Sequence, residues 1–131
     1  MSAIPSAIKG VGIDLVEIAR VQKAIERHGE LFLQRVFTET ERRYCEARAG
    51  RYASYAARFA AKEAVGKALG TGLGGQLGFA GIGVVTNALG APSVELDAQG
   101  GALLRACGGA HIHLSLTHTG THAQAIAIIS A

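Results

Sequence analysis

The sequence predicts an α+β fold in one domain, with helices packed on an antiparallel sheet around one long central helix. Two patterns carry that expectation. After one short apolar run, the first half places apolar residues at helical spacing; the second half alternates apolar and polar residues in short runs divided by turns. At 131 residues the chain suits a single core and is too short for two.

Taken in order, Val11 to Leu15 reads as a strand, interrupted by Asp14, an acid that a buried strand would not carry for stability. From Val16 to about His28, Ile18, Val21 and Ile25 recur at helical spacing, with Arg20, Lys23 and Arg27 on another face. Gly29 stops that helix, and Glu30 to Val36 gives a short second piece. Thr38, with Glu41 three residues on, is a capping-box signature opening a helix to about Arg48. After Gly50 comes the central helix, alanine-rich and free of proline, from Tyr55 past Lys67 to a stop at Gly70 and Gly72.

Gly70 to Gly78 forms a glycine-rich loop, but it follows a helix, not a strand, and so lacks the context of a dinucleotide or phosphate loop. Phe79 to Thr86 and Pro92 to Leu96 read as strands joined by a turn over Asn87 to Gly90. Asp97 to Cys107 is patterned as a helix, with Leu103, Leu104 and Cys107 on its apolar face. His111 to His118 and Ala123 to Ile129 close the chain as two strands about Thr119 and Gly120.

Composition narrows the function. Aromatic residues are few and tryptophan is absent, so the expected core is Ile, Val, Leu and Ala. A net charge of +3 permits an acidic partner but falls short of a nucleic-acid-binding stripe. Cys45 and Cys107 lie far apart with no metal-type spacing, as reduced thiols do. No signal-peptide pattern or membrane-length apolar run is present, and the expected location is cytoplasmic, with no membrane partner.

Three groups could carry chemistry. On the central helix, Phe59, Glu63 and Lys67 fall near one face with Lys62 beside them, a row suited to a cation and a phosphorylated ligand. By itself that row also reads as a solvated helix with a Glu63–Lys67 ion pair. Asp14 sharpens the choice, because two carboxylates completed by waters and phosphates make an ordinary Mg²⁺ site. The second group is the strand His111 to His118, whose Ser115, Thr117 or His118 suits an anionic ligand better than its histidines suit zinc. The third, Arg20, Lys23 and Arg27, is either a solvated face or a dock for an acidic helix.

Four segments carry a family resemblance: Gly12-Ile-Asp14-Leu-Val-Glu17-Ile18, Phe37 to Glu41, Arg58-Phe59-Ala-Ala-Lys62-Glu63-Ala64 continuing through Lys67 to Gly72, and His113 to Thr119. In this order and spacing the chain resembles the holo-acyl-carrier-protein synthases, the small phosphopantetheinyl transferases. It departs at Ala91, where the family commonly has lysine, and at Ala57, where glycine is frequent.

The resemblance implies the 4′-phosphopantetheinyl transferase fold over residues 1–131. It also implies transfer of the 4′-phosphopantetheine arm from coenzyme A to a serine of apo acyl carrier protein, in support of fatty acid biosynthesis. Mg²⁺ dependence follows, as does a homotrimer with active sites between subunits. By the same match, Asp14 and Glu63 ligate the Mg²⁺. Lys62 and Lys67 contact phosphate oxygens, Arg58 and His118 hold the 3′-phosphate, and Glu63 is the candidate base, directly or through water. Arg20, with Lys23 and Arg27, receives the carrier's acidic helix. A broad-specificity transferase of polyketide or peptide synthases, which is usually about twice as long, and a non-catalytic coenzyme A-binding trimer are the alternatives.

Overall fold

The computed structural model describes residues 7–73 and 77–131; residues 74–76 of the glycine-rich loop and the first six residues lie outside it. The elements in chain order are β1 (Ile8–Glu17), α1 (Ile18–Val36), α2 (Glu39–Glu46) and α3 (Arg51–Ala68). A 3-10 turn (Phe79–Gly81) precedes β2 (Ile82–Thr86), β3 (Pro92–Leu96), α4 (Ala98–Ala106), β4 (His111–His118) and β5 (His122–Ser130). One sheet runs β1-β5-β4, all antiparallel, and β2 and β3 form a separate hairpin.

Local chemistry explains most boundaries. The capping box forms as expected: Thr38 Oγ1 accepts from the Glu41 backbone N–H, and Glu41 Oε1 accepts from that of Thr38. Gly29 takes φ 55 inside α1, the break foreseen between two helical pieces. Gly70, at φ 82, ends α3 by donating its N–H to the Lys67 carbonyl. Two expectations change. β1 is longer than Val11 to Leu15 because β5 pairs with it from Ile8 to Glu17. Phe79 to Gly81 leaves the strand because Gly81 turns back to the Gly78 carbonyl.

Helix α3 packs on the three-stranded sheet through small residues on both sides. Ala60, Ala61, Ala64 and Ala68 meet Ala125 and Ala127 of β5 in one buried cluster. On β1, a Cβ added at Gly12 would overlap the Ala64 carbonyl oxygen, and one at Gly10 that of Ala68. The strand therefore turns its glycine side to the helix, and Asp14, two residues on from Gly12, points the same way. Val11, Ile13 and Leu15 face away and are 56, 53 and 60% exposed. Gly12→Ala should then cost about 1–3 kcal/mol by overpacking and push Asp14 off α3; denaturant melts and the transfer rate would record both losses.

The core is not purely aliphatic. A second cluster around α2 and the start of α3 buries Tyr55 and Phe37 completely. Tyr55 can be buried because its hydroxyl donates to Glu46 at 2.6 Å. No helix among the described residues is long and apolar enough to cross a membrane.

Candidate active site

The close seam between β1 and α3 brings Asp14 and Glu63 into one cavity of about 520 Å³, with Lys67 and Arg20 on its walls and Phe32 and Phe59 among its apolar lining. Lys67 Nζ donates to Asp14 Oδ1 at 3.1 Å and to the Ile13 carbonyl at 3.0 Å. This corrects the Glu63–Lys67 pair suggested by helical spacing: β1 crosses the last turns of α3 and offers the lysine a better acceptor. Glu63 is left facing a second carboxylate. Burial, and then the Asp14 charge, push its carboxyl above the usual range, with Lys67 opposing them.

Glu63 faces the Asp14 charge while the Lys67 ammonium is bonded to Asp14, a repulsion that a divalent cation between the two acids would relieve. Two protein oxygens with room for water and phosphate suit Mg²⁺ better than an all-protein cage would. No three His, Cys, Asp or Glu side chains gather as a metal site among the described residues.

Lys62 is placed elsewhere. Its side chain is wholly buried beside Glu41, at 2.7 Å. Nζ also donates to the carbonyls of Phe79, at 3.1 Å, and Ile82, at 2.5 Å. Its three donors are thus spent inside the protein. The expected contact between Lys62 and phosphate is contradicted: one residue before Glu63, a helix turns the side chain some 100° away, here into the core. Glu41 accepts from Val84 N–H as well, at 2.7 Å, so the pair ties α2, α3 and β2 together.

Arg58 and His118 do come together, in a different cavity of about 640 Å³ between α2, α3, β4 and the β2–β3 turn. Arg58 is 4% exposed. It donates to Thr86 Oγ1 at 2.8 Å and to the Ser54 carbonyl at 3.3 Å, while its buried Nε has no partner among the described residues. Ser115 and Thr117 also line this space, as does Arg48, and no carboxylate does among the described residues. A buried guanidinium with no carboxylate partner among the described residues, ringed by hydroxyls, suits an anion. Sequence reasoning missed Tyr44, Arg48 and Thr86 here; the four-residue spacing of Tyr44 and Arg48 on a helix foreseen to reach Arg48 was the available signal.

The two cavities share no lining residue among those described. Five residues separate Arg58 from Glu63, about 140° around the helix, so one chain presents them on different sides of α3. Arg20, Lys23 and Arg27 line a third, shallow cavity along α1, and Arg20 also reaches the Asp14 cavity.

Comparison with known proteins gives the family. Residues 10–128 match the family described as the 4′-phosphopantetheinyl transferase superfamily. The chain belongs to that superfamily. It is 49% identical over 130 residues to the holo-[acyl-carrier-protein] synthase of Brucella ovis, covering 95% of this chain and 96% of that one. The corresponding synthase of Ruminiclostridium cellulolyticum is 46% identical over 121 residues, 92% of this chain and 90% of its own.

The crystal structure of the Neisseria meningitidis synthase superposes with a TM-score of 0.86 at 30% identity, over 95% of this chain and 99% of that one. That of the Helicobacter pylori synthase in complex with coenzyme A gives 0.81 at 31%, over 92% and 99%. This phosphopantetheinyl transferase is therefore an enzyme of holo-[acyl-carrier-protein] synthase type, moving phosphopantetheine from coenzyme A to acyl carrier protein. These relatives are matched over 90–99% of their own length.

Proposed function

We propose that the reaction takes place at a site two copies of this chain complete together: the Asp14–Glu63 half from one and the Arg58–His118 half from the next. One observation carries the reading, the separation of the two half-sites on different sides of α3 within a single chain. The sheet supplies a surface to join them. Opposed residues in register give its outward face the rows Val11–Ile128–His113, Ile13–Ile126–Ser115 and Leu15–Gln124–Thr117. An apolar strand face so exposed calls for a covering partner. Leu15 lines one half-site, and Ser115 and Thr117 line the other, so a second copy laid on this face stands next to both. A closed ring of three such contacts is the homotrimer.

Mg²⁺ between Asp14 and Glu63 would supply positive charge to the diphosphate of coenzyme A. Lys67 has two donors engaged and a third to offer the phosphate oxygens. The carrier's serine Oγ attacks the β-phosphorus and passes its proton to Glu63, directly or through water. The bond from that phosphorus to the bridging oxygen breaks, and adenosine 3′,5′-bisphosphate leaves with the electron pair. Arg58 and His118 of the neighbouring copy hold its 3′-phosphate, and catalysis is mainly positioning and charge neutralisation. The same reading puts the enzyme in the cytoplasm, serving fatty acid synthesis.

Mass spectrometry of an apo carrier incubated with coenzyme A and Mg²⁺ tests the reading: the carrier should gain one phosphopantetheine, and no gain at any divalent-metal concentration would refute it. Arg20, Lys23 and Arg27 form the carrier dock, with Arg20 bridging it to the reacting groups. Arg20→Ala should raise KM for the carrier about tenfold, roughly what one charged contact contributes, while KM for coenzyme A moves little. Equal rises in both would reject the dock.

A further inference from the structure

We propose that Arg48 is a second phosphate-binding residue of the Arg58 cavity, held ready there by the ring of Tyr44. This rests on the reading that the cavity takes the 3′-phosphate of coenzyme A. The guanidinium carbon of Arg58 lies 4.1 Å from the centroid of the Tyr44 ring, and that of Arg48 lies 4.3 Å from the same centroid. One aromatic ring thus holds two cations, a favourable contact for each.

Two neighbouring arginines, Arg42 and Arg51, behave differently. Arg42 pairs with Glu30 at 3.7 Å, and Arg51 pairs with Glu46 at 2.9 Å while lying over Tyr52. Arg48 and Arg58 have no such carboxylate among the described residues, and both line the cavity. Two guanidiniums held on one ring and lining one cavity without a carboxylate repel each other, and an anion in that cavity would relieve the repulsion.

Charge decides how many cations that anion needs. A terminal phosphomonoester carries about −1.5 to −2 near neutral pH, more than a diester does. Arg58 supplies one positive charge and, being buried, cannot move far. Arg48 is exposed, just past the end of α2, and its long side chain can leave the ring and close over the phosphate. Tyr44 is a positioning residue: it holds both guanidiniums and touches no reacting atom.

The test compares coenzyme A with its 3′-dephospho form as donors for the intact enzyme. Arg48→Ala should raise KM for coenzyme A about tenfold relative to the dephospho form, the effect of losing one charge-assisted bond, and the loss should fall on KM, not kcat. Tyr44→Leu should reproduce the shift and Tyr44→Phe should rescue it, since the ring and not the hydroxyl carries the contact. A wild-type donor ratio in Arg48→Ala overturns the proposal. If Arg58→Ala shifts that ratio while Arg48→Ala does not, only the role of Arg48 falls; if neither shifts it, the reading of the cavity falls as well.

Discussion

Lys62→Met should destabilise the protein by about 3–5 kcal/mol, the usual cost of breaking a buried ion pair from one side. The substitution leaves the Glu41 carboxylate buried without its cation and orphans the carbonyls of Phe79 and Ile82. Burial, with a smaller push from the Arg58 charge, moves the Lys62 ammonium below its ordinary pKa, and Glu41 opposes that shift. Making both apolar would not restore stability, because Glu41 also accepts from the backbone N–H groups of Thr38 and Val84. Lys67→Met is the control: that side chain is 53% exposed, so its loss should appear in kcat with the melting curve little changed. A Lys62→Met enzyme as stable as wild type but catalytically dead would return Lys62 to the phosphate contact rejected above.

Glu63→Gln should abolish transfer, by a factor on the order of 10³ or more, because it removes both the proposed metal ligand and the proposed base. The metal-free protein should nevertheless become more stable. A raised carboxyl pKa means the folded state holds that proton more tightly than the unfolded chain does. Stability therefore declines as pH climbs above the ordinary carboxylate value of 4.5 and stays reduced at neutral pH. Glutamine carries no charge to repel Asp14, so the variant should lack that decline. Melting temperatures across the pH range, with and without Mg²⁺, would check it: the metal should raise wild type clearly and the variant hardly. An equal gain from Mg²⁺ in both proteins would remove Glu63 as a ligand.

Where the sequence was readable, a local rule governed. Thr38 and Glu41 announced their helix start, and His111 to His118 kept its bounds as β4. Asp14 drew notice as an acid in an apolar strand, and the structure uses it on the face where a Val or Ile would have been expected. That inversion was hidden. A period-two reading turns Val11, Ile13 and Leu15 inward, yet only the Gly10 and Gly12 side lets the strand approach α3. The burial of Lys62 was hidden for a similar reason. Its partner Glu41 looked fully accounted for by its capping role, and nothing local says that a helix rotates one residue of a charged pair into the core. Arg58 and Glu63 share a motif five residues apart but serve different cavities, which only the packing of α2 and β4 against α3 reveals.

Mixing two inactive variants tests the shared site most directly. Glu63→Gln and the double variant Arg58→Ala, His118→Ala would be co-expressed, assembled together and assayed at low coenzyme A. In a closed ring each site draws one half from each of two neighbours, so random mixing should restore about a quarter of wild-type activity. If the mixed assemblies stay as inactive as the separate variants, both halves of the site belong to one chain.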